Sequence, residues 1–300
     1  MRSKGEMEMN RYRAFDDAMQ DLLGTCRPAV SRVSGGDINR AYRLASSGAS
    51  IFMKANRREN APFFEAEVSG LNAIAETGTI RVPEVLGIGL DDHYGAFLLL
   101  EWAEGRQGKH FYETFGRNLA AMHLADPSEF VHGGIFGFDT DNFIGAGAQE
   151  NRPEEKWTEF FRMHRLFPQF RKAEGYFDGN DRRRMTALLD HLDSFLPEPE
   201  TPSLLHGDLW SGNYIVGKDG EAWLIDPAVY VGHHEADLAM TELFGGFPQR
   251  FYSAYGEVNP IDRDYPKRRE LYNLYHLLNH LNLFGGSYLG SVRHVLRTYA

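Results

Sequence analysis

The stretch Leu205-His-Gly-Asp208-Leu-Trp-Ser-Gly-Asn213, followed by Leu224-Ile-Asp226-Pro227, decides the fold of this 300-residue chain. Asp208 and Asn213 are five positions apart, and Asp226 follows thirteen positions after Asn213. Enzymes that transfer a phosphoryl group need a carboxylate to orient the attacking hydroxyl and oxygen ligands for magnesium. The spacing therefore predicts Asp208 as the catalytic base and Asn213 and Asp226 as metal ligands.

The residues between Asn213 and Asp226 predict a β-hairpin. Two short apolar runs, 214–216 and 222–225, flank the turn signal Lys218-Asp-Gly220. A hairpin here would return Asp226 to the side of Asn213. An Asp that opens a loop and an Asn that caps a turn are the alternative interpretation. Three oxygen-bearing side chains at these intervals rarely coincide by chance.

Length, charge and cysteine content exclude several classes of protein. Three hundred residues suit two lobes better than one core. A net charge of −10 argues against a nucleic-acid partner, which would need a basic stripe, and weakly suits a cationic substrate. The longest apolar run, 96–100, is too short to span a bilayer. The single cysteine, Cys26, permits no internal disulfide and fits a reducing compartment. We expect a cytoplasmic protein with no membrane partner, and its oligomeric state is open.

The periodicity of apolar residues divides the chain near residue 103. Before this point the pattern predicts strands at 31–33, 41–44, 50–53 and 95–102, and helices at 11–23 and 61–77. After it the pattern predicts helices at 111–124, 157–172, 181–196 and 271–284. We therefore expect an α+β fold with a strand-rich nucleotide-binding lobe at 1–103 and a mainly helical catalytic and substrate lobe at 104–300.

Lys54 is predicted to contact the phosphates of a nucleotide. It lies at the end of a predicted strand, and such a lysine needs a carboxylate to hold it. Glu67 and Glu65 on the following helix both qualify. We favour Glu67 because it shares a helix face with Leu71 and Ile74, and we expect that apolar face to point inward.

The turn Ser34-Gly-Gly-Asp-Ile-Asn39 is a candidate phosphate-binding loop. Gly35 and Gly36 would let backbone N–H groups approach phosphates, and we place Asn39 in the same site. The same residues also form ordinary turns, and they lack the full GxGxxG of protein kinases. The interpretation therefore depends on the Asp208 pattern.

Leu100, Glu101 and Trp102 are the candidate adenine contacts. They end the last strand before the lobe boundary. Backbone groups at that edge would meet the adenine ring. They complete the predicted ATP site.

Four further residues are candidates for the acceptor pocket. Trp210 lies two positions after the predicted base, where a ring could stack on a sugar face or simply belong to the core. His280 and Asn282 place polar groups in an otherwise apolar helix, and Tyr288 follows it. The alternative for His280 and Asn282 is that they bond to the protein itself.

The segment His233-His234-Glu235-Ala-Asp237 has the residue types of a metal site but not the spacing. It lacks the i, i+4 histidine pair of zinc proteases. We therefore expect a structural role, with Asp237 bracing the catalytic loop.

Taken together, these motifs resemble the fructosamine (ketosamine) 3-kinases, which are relatives of the aminoglycoside phosphotransferases with a two-lobe, protein-kinase-like fold. The resemblance covers nearly the whole chain, and HGDLWSGN and EADLAMTELFGGF are specific to this family. The segments that carry it are 35–42, Lys54, 64–67, 140–145, 205–213, 225–230, 235–247 and 275–286. Asp37 occupies a glycine-loop position that varies among family members.

The resemblance implies ATP and Mg²⁺ as cofactors and phosphorylation of O3 on a sugar condensed with an amine. Such products shed the sugar, so the implied role is deglycation of small-molecule or protein-bound ketosamines. Three alternatives remain open. They are a kinase of an aminoglycoside or choline-like alcohol, a protein kinase, and a non-catalytic nucleotide-binding module. The missing Ala-Pro-Glu segment after Asp226 argues against a protein kinase. The presence of Lys54, Asp208, Asn213 and Asp226 argues against a non-catalytic module.

Overall fold

A mixed six-stranded sheet forms the N-terminal part of the computed structural model, which describes residues 10–33 and 39–300. Strand order is β1-β5-β6-β4-β3-β2, with β1 parallel to β5 and the other neighbours antiparallel. Its elements are β1 (Arg11–Tyr12), α1 (Phe15–Leu23), β2 (Ala29–Arg32), β3 (Arg40–Ser46), β4 (Ala49–Asn56), α2 (Ala61–Glu76), β5 (Val85–Asp91) and β6 (Gly95–Glu101).

Strand β6 is apolar throughout because both faces of the sheet are covered. Phe97 and Leu99 join a cluster with α1 on one face. Leu98 and Leu100 point to the opposite face and pack with Phe64 and its neighbours on α2. Alternating side chains of one strand therefore fill two cores. The uninterrupted apolar run reflects this two-sided burial.

Two predicted boundaries in this part are wrong. The helix predicted at 11–23 begins only at Phe15, because Arg11 and Tyr12 pair in parallel with Ile88 and Gly89. Lys54 does not end its strand, since β4 continues to Asn56. Two residues are too few to show strand periodicity, so the sequence could not indicate β1.

The C-terminal part is mainly helical, as predicted. Its helices are α3 (Phe111–Leu124), α4 (Trp157–Phe160), α5 (Phe167–Lys172), α6 (Gly179–Asp190), α7 (Glu235–Leu243), α8 (Gln249–Val258), α9 (Arg269–Phe284) and α10 (Leu289–Tyr299). A π-helical segment (Phe161–Leu166) joins α4 to α5. Three two-stranded sheets accompany the helices: β7 (Asn142–Ile144) with β8 (Gly147–Gln149), β9 (Ser203–Leu205) with β12 (Tyr230–Gly232), and β10 (Tyr214–Val216) with β11 (Ala222–Leu224).

The sequence pattern overextended one helix and missed several elements. The helix predicted at 181–196 ends at Asp190 and is followed by a short 3₁₀ turn. The prediction did not include α8, α10 or the β7–β8 hairpin. The hairpin strands have three residues each, which is shorter than periodicity can detect.

Close packing ties the sheet and its helix α2 to the helical part. Phe63 on α2 stacks on Phe143 of β7 with ring centroids 3.9 Å apart. A Cβ at Gly70 would lie 3.0 Å from Pro227, directly after Asp226. Gly105 lies even closer to the β10–β11 hairpin, since a Cβ there would lie 1.7 Å from the carbonyl oxygen of Gly217. Glycine at these positions therefore permits the approach.

All six strands of the large sheet precede residue 103, the predicted lobe boundary. The division itself stays a prediction. Within the described ranges no helix is long and apolar enough to cross a bilayer. The cytoplasmic location likewise stays a prediction.

Candidate active site

The loop after β9 carries Asp208, and the buried ring of His206 holds it in place. Nδ1 of His206 accepts the backbone N–H of Asp208 at 3.3 Å. Nε2 donates to the carbonyl oxygen of Ile225 at 3.0 Å. Ala228 N–H donates to the His206 carbonyl at 2.8 Å. One imidazole therefore joins the Asp208 loop to the segment around Asp226.

Asp237, at the start of α7, fixes the same loop from behind. Its carboxylate accepts the N–H groups of His206 and Gly207 at 2.7 and 2.9 Å and lies 3.2 Å from Nε2 of His123. Burial works to raise the pKa of Asp237, but the hydrogen bonds and the His123 ring outweigh it and lower the pKa. These contacts confirm the bracing role predicted for Asp237.

Asp208 and Asn213 meet across the loop. The Asn213 side-chain amide donates to the Asp208 carbonyl at 2.8 Å and to its carboxylate Oδ2 at 3.1 Å. Burial raises the pKa of Asp208 to about 7, while the Asn213 hydrogen bond works against that rise. A carboxyl group with a pKa near neutrality is suited to accept a proton from a hydroxyl.

The predicted hairpin is present and delivers Asp226 to Asn213. Tyr214 pairs with Leu224, and Ile225 N–H donates to the Asn213 carbonyl at 3.1 Å. Asp226 then adopts a φ of +54°, one of only two positive values among the described non-glycine residues. Aspartate tolerates this conformation better than most residues. This conformation of Asp226 turns the chain where it leaves the β10–β11 hairpin.

Lys54 reaches from β4 to two carboxylates. Its ammonium lies 2.6 Å from Glu67 and contacts Asp226 directly. Burial opposes the charge of Lys54, but Asp226 and Glu67 outweigh it and raise its pKa. Burial also raises the pKa of Glu67 to about 7 despite the lysine. Glu65, the rival for this pairing, instead bonds Arg11 at 2.8 Å on the surface.

Asn213 and Asp226 fit the oxygen chemistry of magnesium. The Asp226 side chain is 43% exposed, and the Asn213 amide oxygen accepts no hydrogen bond from the described residues. The described ranges hold no cluster of three or more metal-ligating His, Cys, Asp or Glu side chains. Magnesium commonly takes one or two carboxylates and completes its shell with phosphates and water. His233 and His234 are not part of the candidate magnesium site formed by Asn213 and Asp226. Burial lowers the pKa of His234 to about 3.

The candidate nucleotide residues are only partly located. Gly35 and Gly36 lie outside the described residues. Asn39 accepts a hydrogen bond from the Asn56 side chain at 2.6 Å, at the end of β4. Its place in the nucleotide site stays a prediction.

At the end of β6, backbone groups of Leu100 and Glu101 already form hydrogen bonds with neighbouring segments of the protein. Leu100 pairs with strands on both sides, and Glu101 N–H donates to Glu84 at 2.9 Å. The Glu101 carboxylate accepts from Lys218 at 2.6 Å, which links it to the β10–β11 turn. Trp102 is the first residue beyond the strand, and its indole N–H donates to Glu104. Adenine contact by Leu100, Glu101 and Trp102 stays a prediction. Of the three, only Trp102 lies outside the hydrogen-bonded strand β6.

The acceptor candidates separate into two groups. Trp210 is 37% exposed beside the catalytic loop, and its ring packs edge-on against Phe244. Phe244 in turn contacts His280, whose ring contacts Tyr288. Asn282 instead donates to the carbonyl and side-chain oxygens of Gln169, and His280 Nδ1 donates to the His276 carbonyl at 2.8 Å, so both residues bond to the protein itself, which is the alternative weighed from the sequence.

The sequence prediction missed two features of the site. The buried Nδ1 of His276 lies 3.8 Å from Asp208 Oδ1 and has no hydrogen-bond partner among the described residues. The β7–β8 hairpin holds the chain beyond Asp226, since Asn142 donates to Val229 at 2.7 Å and Gln149 to Ala228 at 3.0 Å. Both features join residues far apart in the chain. The only available signals were the polar residues inside the apolar pattern of α9 and the motif at 140–145.

We expect Lys54 and Glu67 to act as one unit. Lys54→Met and Glu67→Gln should each misplace the phosphates and lower kcat/KM. The double variant should be little worse than the worse single one, because each residue depends on the other. Steady-state kinetics of the four proteins measure this. Glu65→Gln, on the same helix but paired with Arg11, is the control and should leave kcat/KM nearly unchanged. Strictly additive losses in log kcat/KM would show that the two residues are not coupled.

Known proteins share both the sequence and the fold. The fructosamine kinase family model matches residues 16–300. A probable ketoamine kinase from Synechocystis sp. is 42% identical over 270 residues, which cover 88% of each chain. The chloroplastic protein-ribulosamine 3-kinase of Arabidopsis thaliana is 38% identical over 272 residues, covering 90% of this chain and 82% of the relative.

Solved structures give the same family and a wider fold group. A Thermobifida fusca structure assigned as a fructosamine-3-kinase has a TM-score of 0.81 and 34% identity, covering 95% of this chain and 97% of the other. Aminoglycoside phosphotransferase APH(4)-Ia, solved with AMP-PNP and hygromycin B, has a TM-score of 0.63 at 17% identity, covering 95% and 98%. The latter match shows a shared fold, and the kinase-like α+β prediction is confirmed. With a family model that spans residues 16–300 and relatives near 40% identity, the chain belongs to the fructosamine kinase family.

Proposed function

We propose that this protein transfers the γ-phosphoryl group of ATP to the O3 hydroxyl of ketosamines, which is a deglycation activity. The observation that carries the proposal is the meeting of Asp208, Asn213, Asp226, Lys54 and Glu67 in a chain of this family. The elements that supply them are far apart in sequence. This arrangement provides a base, phosphate contacts and oxygen ligands.

Each residue has a separate task in the proposed reaction. Asp208 accepts the hydrogen bond and then the proton of the O3 hydroxyl as oxygen attacks the γ-phosphorus. The new O3–P bond forms while the bond to the ADP oxygen breaks. Lys54, held by Glu67, neutralises phosphate charge. Asn213 and Asp226 would hold Mg²⁺, which would supply charge neutralisation on the phosphates when bound.

The substrate class rests on family membership and on the chemistry beside Asp208. The relatives are described as acting on ketoamines or protein-bound ribulosamine. Trp210 lies two residues from the base and leaves 37% of its surface exposed, as suits a ring that stacks on a sugar face. Both free and protein-bound ketosamines are candidate partners. An aminoglycoside acceptor is the second candidate, because APH(4)-Ia shares the fold.

The two aspartates should differ in their effect on nucleotide binding. Asp208→Asn should keep affinity for magnesium-ATP within a few-fold and lose turnover by roughly 10²-fold or more, because it removes the proton acceptor. Asp226→Asn should weaken nucleotide binding itself, because it removes the negative charge and one of the two carboxylate oxygens available to the metal. Calorimetry beside turnover assays measures both. Loss of nucleotide binding by a folded Asp208→Asn protein would contradict the assigned roles.

A panel of acceptors tests the proposed function. ATP consumption and product phosphorylation should occur with a ribulosamine or fructosamine and be weak or undetectable with an aminoglycoside or choline. Trp210→Ala should lower kcat/KM for the ketosamine while ATP affinity stays nearly intact, because the ring contacts the sugar. Unchanged ketosamine turnover would remove Trp210 from the acceptor site. Activity confined to an aminoglycoside or choline would replace the ketosamine proposal and retain the kinase.

A further inference from the structure

A row of aromatic side chains leads away from the catalytic loop across the helical part. Successive ring centroids are 6.3 Å apart for Trp210 and Phe244, and 4.8 Å for Phe244 and His280. The His280 ring is then 5.3 Å from Phe284 and 5.1 Å from Tyr288. We refer to these five residues as the aromatic strip.

The strip is exposed at both ends. Trp210 is 37% exposed, and Phe284 is 58% exposed, the highest value among the large exposed hydrophobic residues described. Burial lowers the pKa of His280, so its ring is neutral at physiological pH, as are the other four side chains. Adjoining aromatic rings left in water mark a binding surface more often than isolated ones do.

The strip is continuous with the reaction centre. It begins at Trp210, two residues after Asp208. It also returns towards Asp208 through α9, because His280 Nδ1 bonds the carbonyl of His276, and the His276 ring lies 3.8 Å from the Asp208 carboxylate. A molecule with one group at Asp208 can therefore extend along these rings.

We propose that the part of the aromatic strip beyond Trp210, whose ring stacks on the sugar, binds the amine part of the ketosamine, namely a secondary ammonium group with apolar carbon substituents. This inference rests on the proposed function. The sugar hydroxyls require Asp208, whereas the nitrogen and its substituent project beyond the sugar. Aromatic faces attract an ammonium ion, and apolar substituents gain by covering the rings. The strip would thereby favour aminated sugars over free ketoses and include the side chain of a glycated lysine.

Two ketosamines with the same sugar test this inference. One carries methylamine, and the other carries a lysine residue in a short peptide with apolar neighbours. Phe284→Ala should lower kcat/KM for the peptide substrate by roughly 3- to 10-fold, as expected for loss of one apolar ring contact at an exposed site. It should change kcat/KM for the methylamine substrate and KM for ATP by less than about 2-fold, because neither ligand reaches Phe284.

Phe167→Ala is the matched control, since Phe167 is 39% exposed and its ring contacts Arg171 rather than the strip. It should affect neither ketosamine. The inference would be overturned if Phe284→Ala lowered kcat/KM equally for both ketosamines, or for neither. The proposed function would still stand, because the wild-type protein would phosphorylate both. Wild-type inactivity on both ketosamines would contradict the proposed function and the inference together.

A separate observation concerns His276 on α9. The residue is 3% exposed, and within the described ranges its buried Nδ1 has no hydrogen-bond partner. Burial lowers the pKa of His276 to about 3, so the ring is neutral. An unpaired buried nitrogen is costly to stability, and such an atom 3.8 Å from Asp208 Oδ1 calls for a functional explanation.

We infer that His276 is a positioning residue for Asp208. Asn213 holds Oδ2 of Asp208 at 3.1 Å, and His276 faces Oδ1. The separation exceeds a hydrogen bond, but catalytic hydrogen bonds often shorten only when substrate is in place. A small rotation of the Asp208 carboxylate towards Nδ1–H would fix both oxygens and aim the remaining lone pair at the acceptor hydroxyl.

His276→Phe tests this role because phenylalanine keeps the ring and removes the polar atoms. Its kcat should fall by roughly 10-fold or more, with KM for ATP changed by less than about 2-fold. Its unfolding midpoint should be equal or higher, because the unpaired nitrogen is gone. His276→Asn, which restores a donor near Nδ1, should recover part of the lost kcat.

A purely structural histidine would give a different result. His276→Phe would then keep kcat, or would lose it together with a lowered unfolding midpoint and no recovery in His276→Asn. Either outcome would overturn the positioning role. Each would leave the proposed function of the wild type untouched.

Discussion

The buried Asp237 carboxylate holds the catalytic loop by accepting the N–H groups of His206 and Gly207 at 2.7 and 2.9 Å. It is 1% exposed and contacts His123 on its other side. Leaving a buried polar group without a hydrogen-bond partner costs roughly 1–3 kcal/mol, and more for a charged group. The loop that bears Asp208 therefore has one arrangement. The position of the base depends on a residue 29 places further along the chain.

His206 extends this constraint to the second half of the site. Its two ring nitrogens bond the Asp208 backbone and the Ile225 carbonyl, so the base and the Asp226 segment move as a unit. The β7–β8 hairpin supports the far side through Asn142 and Gln149. Lys54 then joins the sheet to this unit through Asp226. The residues proposed as phosphate contact, metal ligand and base share one network of hydrogen bonds and ion pairs.

The acceptor side differs in chemistry from the nucleotide side. Around Lys54 the interactions are charged and mostly buried, whereas the aromatic strip beyond Asp208 has two exposed rings, those of Trp210 and Phe284. Charged contacts suit the phosphates, which every reaction cycle presents in the same form. Rings tolerate substrates of varied shape, because a face offers many equivalent stacking positions. The two halves therefore match a constant donor and a variable acceptor.

The sequence by itself determined the chemistry and the fold class. The intervals among Asp208, Asn213 and Asp226 indicated phosphoryl transfer, and the switch from strand to helix periodicity near residue 103 indicated the α+β fold. The phase of α2 favoured Glu67 over Glu65, and the structure pairs Glu67 with Lys54. These features are local in the sequence, so residue spacing and periodicity are enough to predict them. Strand β1 and the hairpin β7–β8 could not be predicted in this way, because strands of two or three residues are too short to show a period, and β1 in addition pairs with a distant segment.

Only the tertiary structure decided which polar side chains face the site. Asn282 and His280 looked alike in the sequence, and each bonds to the protein, Asn282 to Gln169 and His280 to the His276 carbonyl, but the His280 ring also joins the aromatic strip. His276 stood out only as a polar residue inside the apolar pattern of α9, and a histidine on a buried helix face usually bonds to the protein around it. Its unpaired nitrogen beside Asp208 exists only because α9 packs behind the catalytic loop. Contacts between elements depend on how the helices pack, and the residue spacing within one segment does not determine that packing geometry.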